Sequence, residues 1–152
     1  MAMHRISLLS ALAAGLTAPL LMHPAAEAAS RAPIDFTDHR VGLDSSSVRT
    51  DLAECPAAVA VDVRAHVEVT RTHGVFIGVR DFQCGGDTGF VLRLTANFSD
   101  GSFGSWSIVD AYGALEGMRG SGKIVGIGFG GDTGDPSDDG IDDHYTGWIV
   151  MP

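Results

Sequence analysis

The chain has 152 residues, of which 45% are hydrophobic, 19% are charged and 7% are aromatic, and its formal net charge is −9. A chain of this length and composition can build one hydrophobic core. The excess of acidic side chains disfavours phosphate backbones and anionic lipid, so we expect neither nucleic-acid nor membrane-surface partners. Cations and neutral organic ligands are compatible with this charge.

Residues 1–28 have the three-part layout of a secretory signal peptide. His4 and Arg5 precede an apolar run from Ile6 to Met22, and Ala26-Glu-Ala28 supplies the small residues that a signal peptidase requires. We predict cleavage after Ala28, secretion, and no membrane attachment after cleavage. A membrane anchor is the alternative, but a run of about 17 residues is short for a helix that crosses a bilayer.

Two cysteines occur in the chain, Cys55 and Cys84. In the oxidising compartment that an exported protein meets, a single pair is most simply explained as one disulfide. Their spacing does not match the CxxC motif of redox proteins. We predict a Cys55–Cys84 disulfide, which the chain-entropy model values at roughly 3–4 kcal/mol.

The first strong structural pattern begins after residue 58. Residues 29–57 predict only weak edge strands, whereas from Val59 to Val69 the odd positions are Val or Ala and most even positions are polar. Period-2 alternation rich in β-branched residues predicts a strand that buries its valine face. A second strand, from His73 to Phe82, would form a hairpin with it.

Further strands are predicted along the rest of the chain. In the next strand Phe90, Leu92, Leu94 and Ala96 share one face, and Phe103 to Val109, Gly122 to Phe129 and His144 to Met151 follow. No segment shows a helical period. We predict an all-β fold in which residues 58–152 form a small antiparallel β-barrel of about eight strands, with a β-sandwich as the alternative.

Two glycine-rich stretches imitate nucleotide-binding motifs. The run from Gly117 to Lys123 has P-loop spacing, but Ile124 stands where a Mg²⁺-binding hydroxyl is needed. The GxGxxG pattern from Gly126 to Gly131 lacks the surrounding βαβ unit. We expect these glycines to allow strongly curved strands to bend and backbones to approach closely.

A dense group of carboxylates near the C-terminus is a candidate calcium site. Carboxylate oxygens are the ligands that Ca²⁺ prefers. An EF-hand is excluded because Thr146 stands where the bidentate Glu belongs. The alternatives are an irregular calcium loop, which would be the protein's only cofactor site, and a solvated loop. The candidate ligands are Asp135, Asp138, Asp139, Asp142 and Asp143.

Four aromatic residues in predicted strands are candidate ligand-binding residues, namely Phe103, Trp106, Tyr145 and Trp148. Small barrels enclose ligands among such side chains, although aromatic residues in strands also serve as plain core. His144 is a candidate acid/base group where the last strand starts. The chain has no GxSxG motif, and we assign no catalytic residue.

Three segments together resemble a known family of barrels. They are Trp106-Ser-Ile-Val109, the run Gly113-Ala-Leu-Glu-Gly117-Met-Arg-Gly120-Ser-Gly122, and Asp142-Asp-His-Tyr-Thr-Gly147. They resemble the C-terminal part of dirigent-like and allene oxide cyclase-like proteins, particularly small secreted bacterial members. The resemblance implies an eight-stranded antiparallel barrel with an apolar interior, sometimes assembled as a trimer. Plant relatives use that interior to steer cyclisation or coupling of reactive organic intermediates.

The sequence therefore favours a secreted, non-catalytic barrel that binds a small apolar or amphipathic ligand. An isomerase or cyclase-like enzyme is the first alternative, and it predicts a buried ionisable group that faces a cavity. A calcium-stabilised extracellular module is the second alternative. A homo-oligomer is compatible with all three.

Overall fold

The computed structural model describes residues 30–41, 45–69, 74–98, 102–130 and 139–152. Within them, consecutive strands are hydrogen-bonded neighbours and the last strand returns to the first, so the sheet is a closed antiparallel barrel. The all-β prediction and the predicted barrel of about eight strands are confirmed. The predicted signal peptide lies outside the described residues. The elements are β1 (Arg31–Val41), β2 (Ser45–Thr50), β3 (Ala57–Val69), β4 (Gly74–Gly85), β5 (Thr88–Phe98), β6 (Ser102–Tyr112), a 3-10 helix (Gly113–Leu115), β7 (Arg119–Phe129) and β8 (Gly140–Val150).

The first strand is an internal part of the barrel rather than a weak edge. β1 pairs with β8 along its whole length, from Arg31 opposite Val150 to Val41 opposite Gly140. From Phe36 onward it also pairs with β2. This segment forms a strand although its alternation of apolar and polar residues is short, because β8 and β2 both supply backbone hydrogen bonds to it.

Phe36 lies at the centre of the hydrophobic core inside the barrel. Its ring stacks on Tyr145 with 4.4 Å between centroids. It meets the rings of Phe82, Phe90 and Trp106 edge-on at 5.6–5.8 Å. Offset-stacked and edge-to-face pairs are the favourable aromatic geometries, so these rings stabilise one another beyond their burial. On β5 the predicted inward face is confirmed, since all four of its members are buried: Phe90, Leu92, Leu94 and Ala96.

The predicted burial of the β3 valines is wrong. Val59 and Val61 are 52% and 42% exposed, whereas Ala58 and Ala60 are buried. Ala60 lies opposite Phe82, which is fully buried, so the inner face at this level combines a small side chain with a large one. Beyond a register shift between Asp62 and Arg64, every residue up to Glu68 is exposed.

A disulfide joins two segments at one end of the barrel, as predicted. Cys55 follows β2, Cys84 lies near the end of β4, and their Cα atoms are 5.1 Å apart. We call this end, where β4 ends, the lower end, and the opposite end, where β1 ends at Val41, the upper end. The described residues contain no helix long and apolar enough to cross a membrane.

Glycines allow close approach between strands β6, β7 and β8. A Cβ atom on Gly122 would collide with the carbonyl group of Thr146 on the neighbouring strand. A Cβ atom on Gly147 would lie 2.8 Å from the indole ring of Trp106. The glycine-rich run is thus a paired strand that makes room for backbone and for a core aromatic ring, as the sequence indicates.

Candidate functional site

The inward-facing row of side chains changes from apolar to charged towards the upper end. On β1 the change is from Phe36 to Asp38, and on β4 it is from Phe82 to Arg80. On β8 the change is from Tyr145 to Asp143. Residues two positions apart share a face of a strand, so a charged residue two positions from a buried aromatic ring also points into the barrel.

Arg80 is the centre of a buried ionic network and is only 5% exposed. Its Nη1 atom donates to Asp38 Oδ2 at 3.0 Å and to Asp143 Oδ2 at 3.2 Å. Nη1 also donates to the hydroxyl oxygen of Tyr145 at 2.9 Å. Its Nε atom donates to Asp62 Oδ1 at 2.8 Å. Three other strands, β1, β3 and β8, therefore direct polar groups to the guanidinium that β4 carries.

A second guanidinium and a hydroxyl complete the network on the β1 and β2 side. Arg40 Nη1 donates to Asp62 Oδ2 at 3.0 Å, and its Nη2 lies 3.7 Å from Asp38 Oδ2. Ser46 Oγ donates to Asp38 Oδ1. Among the described residues, Nε and Nη2 of Arg40 have no hydrogen-bond acceptor. We call the group Asp38, Arg40, Asp62, Arg80, Asp143 and Tyr145 the ionic cluster.

A proton on Asp143 would balance the charge of the ionic cluster. Three carboxylates face two guanidiniums, so the fully ionised cluster carries one excess negative charge. Burial raises the pKa of Asp143, although the Arg80 guanidinium opposes that shift. Burial also raises the pKa of Tyr145, which keeps its hydroxyl neutral. Asp143 is therefore the member of the cluster whose pKa shift favours holding the balancing proton.

Arg80 stays positively charged although it is buried. Burial alone would lower its pKa, but the negative charges of Asp62 and Asp38 and the hydrogen bond to Asp62 outweigh burial and raise it. Arg80 is consequently a permanent positive charge inside the barrel.

A cavity of about 80 Å³ lies against the ionic cluster. Arg80 and Asp143 form its polar wall. Its remaining wall is apolar, comes from β4, β5, β7 and β8, and consists of Phe76, Leu94, Ala96, Ile124 and Ile141. Apolar walls with a few convergent polar groups are the usual composition of a small-molecule site, but the cavity is far smaller than the roughly 300–1,000 Å³ of drug-sized sites and has room only for a group of a few heavy atoms.

The four aromatic residues predicted to bind a ligand do not form one site. Trp106 is buried in the core, where its Nε1 donates to the carbonyl oxygen of Lys123 at 3.0 Å. Tyr145 is fully buried and reaches the cavity wall only through its bond to Arg80. Phe103 is 53% exposed, and Trp148 stacks under the Arg31 guanidinium at 3.7 Å. Two of the four therefore point inward, and the other two lie away from the cavity.

The five predicted calcium ligands are also not brought together by the described structure. Asp135 and Asp138 lie outside the described residues, and Asp139 is exposed. Asp142 and Asp143 belong to β8, which begins at Gly140, so these neighbours point to opposite faces of a strand. Among the described residues, no three His, Cys, Asp or Glu side chains could hold a metal ion together. Calcium binding stays a prediction.

The two histidines nearest the last strand lie on the outer face of the barrel. His144 Nε2 is 2.7 Å from Asp35 Oδ1, and both side chains are about half exposed. His39 Nδ1 is 2.6 Å from Asp142 Oδ1, and its ring stacks on Phe129 at 4.9 Å. The candidate acid/base residue His144 therefore faces solvent rather than the cavity.

The sequence patterns do not identify the two residues at the centre of the ionic cluster, Asp38 and Arg80, and they place Asp143 in a loop. A usable signal was present. Each of the three lies two positions from an aromatic residue in a strand, and a buried aromatic ring fixes the direction of its neighbours on the same face.

Comparison of the chain with models of protein families, with curated proteins and with solved structures gave no match. The resemblance to dirigent-like and allene oxide cyclase-like barrels therefore stays a prediction.

Proposed function

We propose that this protein is a secreted β-barrel that binds a small amphipathic ligand in the upper-end cavity. One observation carries the proposal: an apolar cavity of about 80 Å³ adjoins the buried Arg80–Asp143 pair. A permanently charged guanidinium with a carboxyl group beside it provides both a donor and an acceptor. The rest of the wall is hydrocarbon and aromatic.

The two kinds of wall define the chemistry of the ligand. The side chains of Leu94, Ala96 and Ile124 would contact a small ring or a short aliphatic chain. A hydroxyl or carbonyl group on that ligand would point towards Arg80 and Asp143. Since groups in the ionic cluster already bond one another, the polar group of the ligand adds orientation while the apolar contacts supply most of the affinity.

Ligand-observed NMR with two matched probes tests this proposal. Cyclohexanol and cyclohexane have the same ring, and only the former carries a hydroxyl. We expect saturation transfer from the protein to both, with tighter binding of cyclohexanol. Absence of transfer to either probe would refute the cavity as a ligand site.

A cavity-filling variant makes that test specific to the site. Ala96 is buried and lines the cavity, so Ala96→Leu should fill it and abolish the transfer. Val125 is half exposed on β7 and does not line the cavity, so Val125→Leu is the matched control. A thermal melt of each variant verifies folding. If Ala96→Leu were folded and still bound cyclohexanol, the ligand would lie elsewhere.

A second candidate function is proton-transfer catalysis of the isomerase or cyclase type. Asp143 favours it, because this side chain is buried, faces the cavity and has a raised pKa. Buried carboxyl groups with raised pKa values recur as general acids and bases. In such a step the ionised Asp143 would take a proton from carbon beside a carbonyl group, and Arg80 would stabilise the oxygen that gains negative charge.

Hydrogen–deuterium exchange of a ketone distinguishes this candidate from binding alone. Cyclohexanone in D₂O exchanges the hydrogens beside its carbonyl, and proton NMR follows the loss of their signal. Catalysis predicts faster exchange with the parent protein than with Asp143→Asn, while both still bind the ketone. Equal rates with and without protein would leave binding as the only function of the cavity.

A further inference from the structure

β2 and β3 are joined by far fewer paired residues than any other two neighbouring strands of the barrel. Only two residue pairs join these strands, Val48 with Ala58 and Arg49 with Ala57. On its other side, β3 pairs with β4 from Val59 to Val69. Within the described residues, the edge of β3 that faces β2 therefore lacks a strand partner from Val59 onward. An unpaired edge of this length is a template for another strand.

Side chains on this part of β3 are exposed on both faces. Arg64, His66 and Glu68 share one face, which is the outer face because His66 lies opposite the exposed Ile77. Ala65 and Val67 share the other face, and Val67 is 55% exposed. The strand thus presents charges of both signs on one face and small apolar groups on the other.

We propose that two copies of this protein associate by antiparallel pairing of their β3 edges about a two-fold axis at His66. In that register Arg64 of one copy lies opposite Glu68 of the other, and the symmetry creates this pair twice. On the other face Ala65 lies opposite Val67 of the second copy. A two-fold interface must be self-complementary, and this strand is self-complementary in both charge and polarity.

Neighbouring two-fold registers are less favourable. The register shift after Asp62 leaves Arg64, His66 and Glu68 as the charged or titratable side chains on the outer face of this segment, while Asp62 points to Arg40 and Arg80. Centring the axis on Ala65 would place Arg64 opposite His66, and centring it on Val67 would place His66 opposite Glu68. The axis at His66 is the register that places Arg64 opposite Glu68, and it does so twice.

Sedimentation velocity over a concentration series tests the association, with charge reversals that address the register. The parent should sediment as a dimer that dissociates on dilution. Arg64→Glu and Glu68→Arg each place like charges opposite one another and should give monomers. The double variant Arg64→Glu/Glu68→Arg restores opposite charges at both pairs and should restore the dimer.

Matched controls separate this interface from a general effect of charge. Arg93 and Glu116 are exposed and lie outside β3, so Arg93→Glu and Glu116→Arg change the net charge identically and should leave the dimer intact. A parent that is monomeric at its highest soluble concentration would overturn the proposal. So would a dimer that survives both β3 reversals, or one that the control reversals also dissociate.

Cysteine cross-linking tests the position of the axis directly. Residues opposite each other in antiparallel strands have Cα atoms about 4.5–5.5 Å apart, which a disulfide can span. His66→Cys therefore places two cysteines at the axis and should give a cross-linked dimer on oxidation, whereas Arg64→Cys and Glu68→Cys should not. The native cysteines are already bonded to each other. Preferential cross-linking through position 64 or 68 would overturn the proposed register.

Discussion

The upper and lower halves of the barrel interior are built on the same strands but from different chemistry. The lower half is a cluster of aromatic and aliphatic side chains around Phe36, closed by the Cys55–Cys84 disulfide. The upper half places Arg80 among carboxylates beside a cavity. Burying charge costs stability even when it is paired, whereas burying hydrocarbon adds stability. Hydrocarbon packing therefore dominates the lower half, whereas the upper half combines buried, paired charge with a cavity.

Removing the central guanidinium should have the largest effect on stability. Arg80→Leu removes the guanidinium bonded to both Asp38 and Asp143 and leaves the more distant Arg40 as the counter-charge of Asp38, which costs about 3–5 kcal/mol at pH 7. Denaturant unfolding at pH 7 and at pH 4 measures the loss. It should be smaller at pH 4, because unpaired buried carboxylates take up protons.

Arg93→Leu is the control for that variant. Arg93 is exposed on β5, and surface substitutions of this kind change stability by about 0.5 kcal/mol or less. An equal loss at both pH values in Arg80→Leu would show that lost packing, rather than charge, is responsible.

Loss of the disulfide should have the next largest effect. The double variant Cys55→Ser/Cys84→Ser frees a loop with a sequence separation of 29 residues. A loop of this size corresponds to roughly 3–4 kcal/mol in the chain-entropy model. Thermal unfolding of the parent and the double variant measures it, and cyclohexanol binding should persist in the variant because the bond lies at the end away from the cavity. A loss of binding in the folded variant would contradict the separation of the two halves.

A substitution in the apolar half should have a moderate effect that does not depend on pH. Phe36→Leu removes a ring that contacts four other aromatic rings and should cost about 1–2 kcal/mol. Unfolding at pH 4 and at pH 7 should give the same difference from the parent, since no charge is exposed. A clear pH dependence would mean that the two halves are energetically coupled.

Neutralising Asp143 should have the smallest effect and the opposite sign. Its pKa in the folded protein is raised above the ordinary value of 3.8, so folding favours the protonated carboxyl group. The protonated carboxyl group stabilises the fold fully below pH 3.8, and this stabilisation is lost as the pH rises through the pKa of Asp143 in the folded protein. Asp143→Asn should therefore be slightly more stable than the parent at pH 7, and the gain should vanish at low pH. Unfolding curves across that range would contradict this expectation if the variant were less stable at neutral pH.

The sequence predicts which residues share a face but not always which face is inside. On β5 the bulky residues Phe90, Leu92 and Leu94 identify the inner face correctly. On β3 the valines alternate just as regularly, yet Val59 and Val61 are exposed while Ala58 and Ala60 are buried, and Ala60 lies opposite the buried Phe82. Propensity and periodicity are local, whereas the space available inside a barrel depends on strands that are distant in sequence.

The candidate site was predictable only in part for a related reason. Arg80 and Asp143 are separated by 63 positions, and their contact depends on the register of strands around the whole barrel. An acidic run suggests calcium from sequence alone, but a strand that begins at Gly140 sends Asp142 and Asp143 to opposite faces. A run of acidic residues in the sequence therefore does not show that their side chains lie together in the fold.

Methyl NMR during titration with cyclohexanol tests the central claim most directly. We expect saturable shifts for the methyl groups of Leu94, Ile124 and Ile141, which line the cavity at the upper end. The methyl groups of Ile34 and Ile149, buried outside that cavity, should stay unchanged. No shift at the cavity methyls, or shifts confined to the exposed outer-face residues Ile77 and Ile127, would contradict ligand binding in the upper half of the barrel.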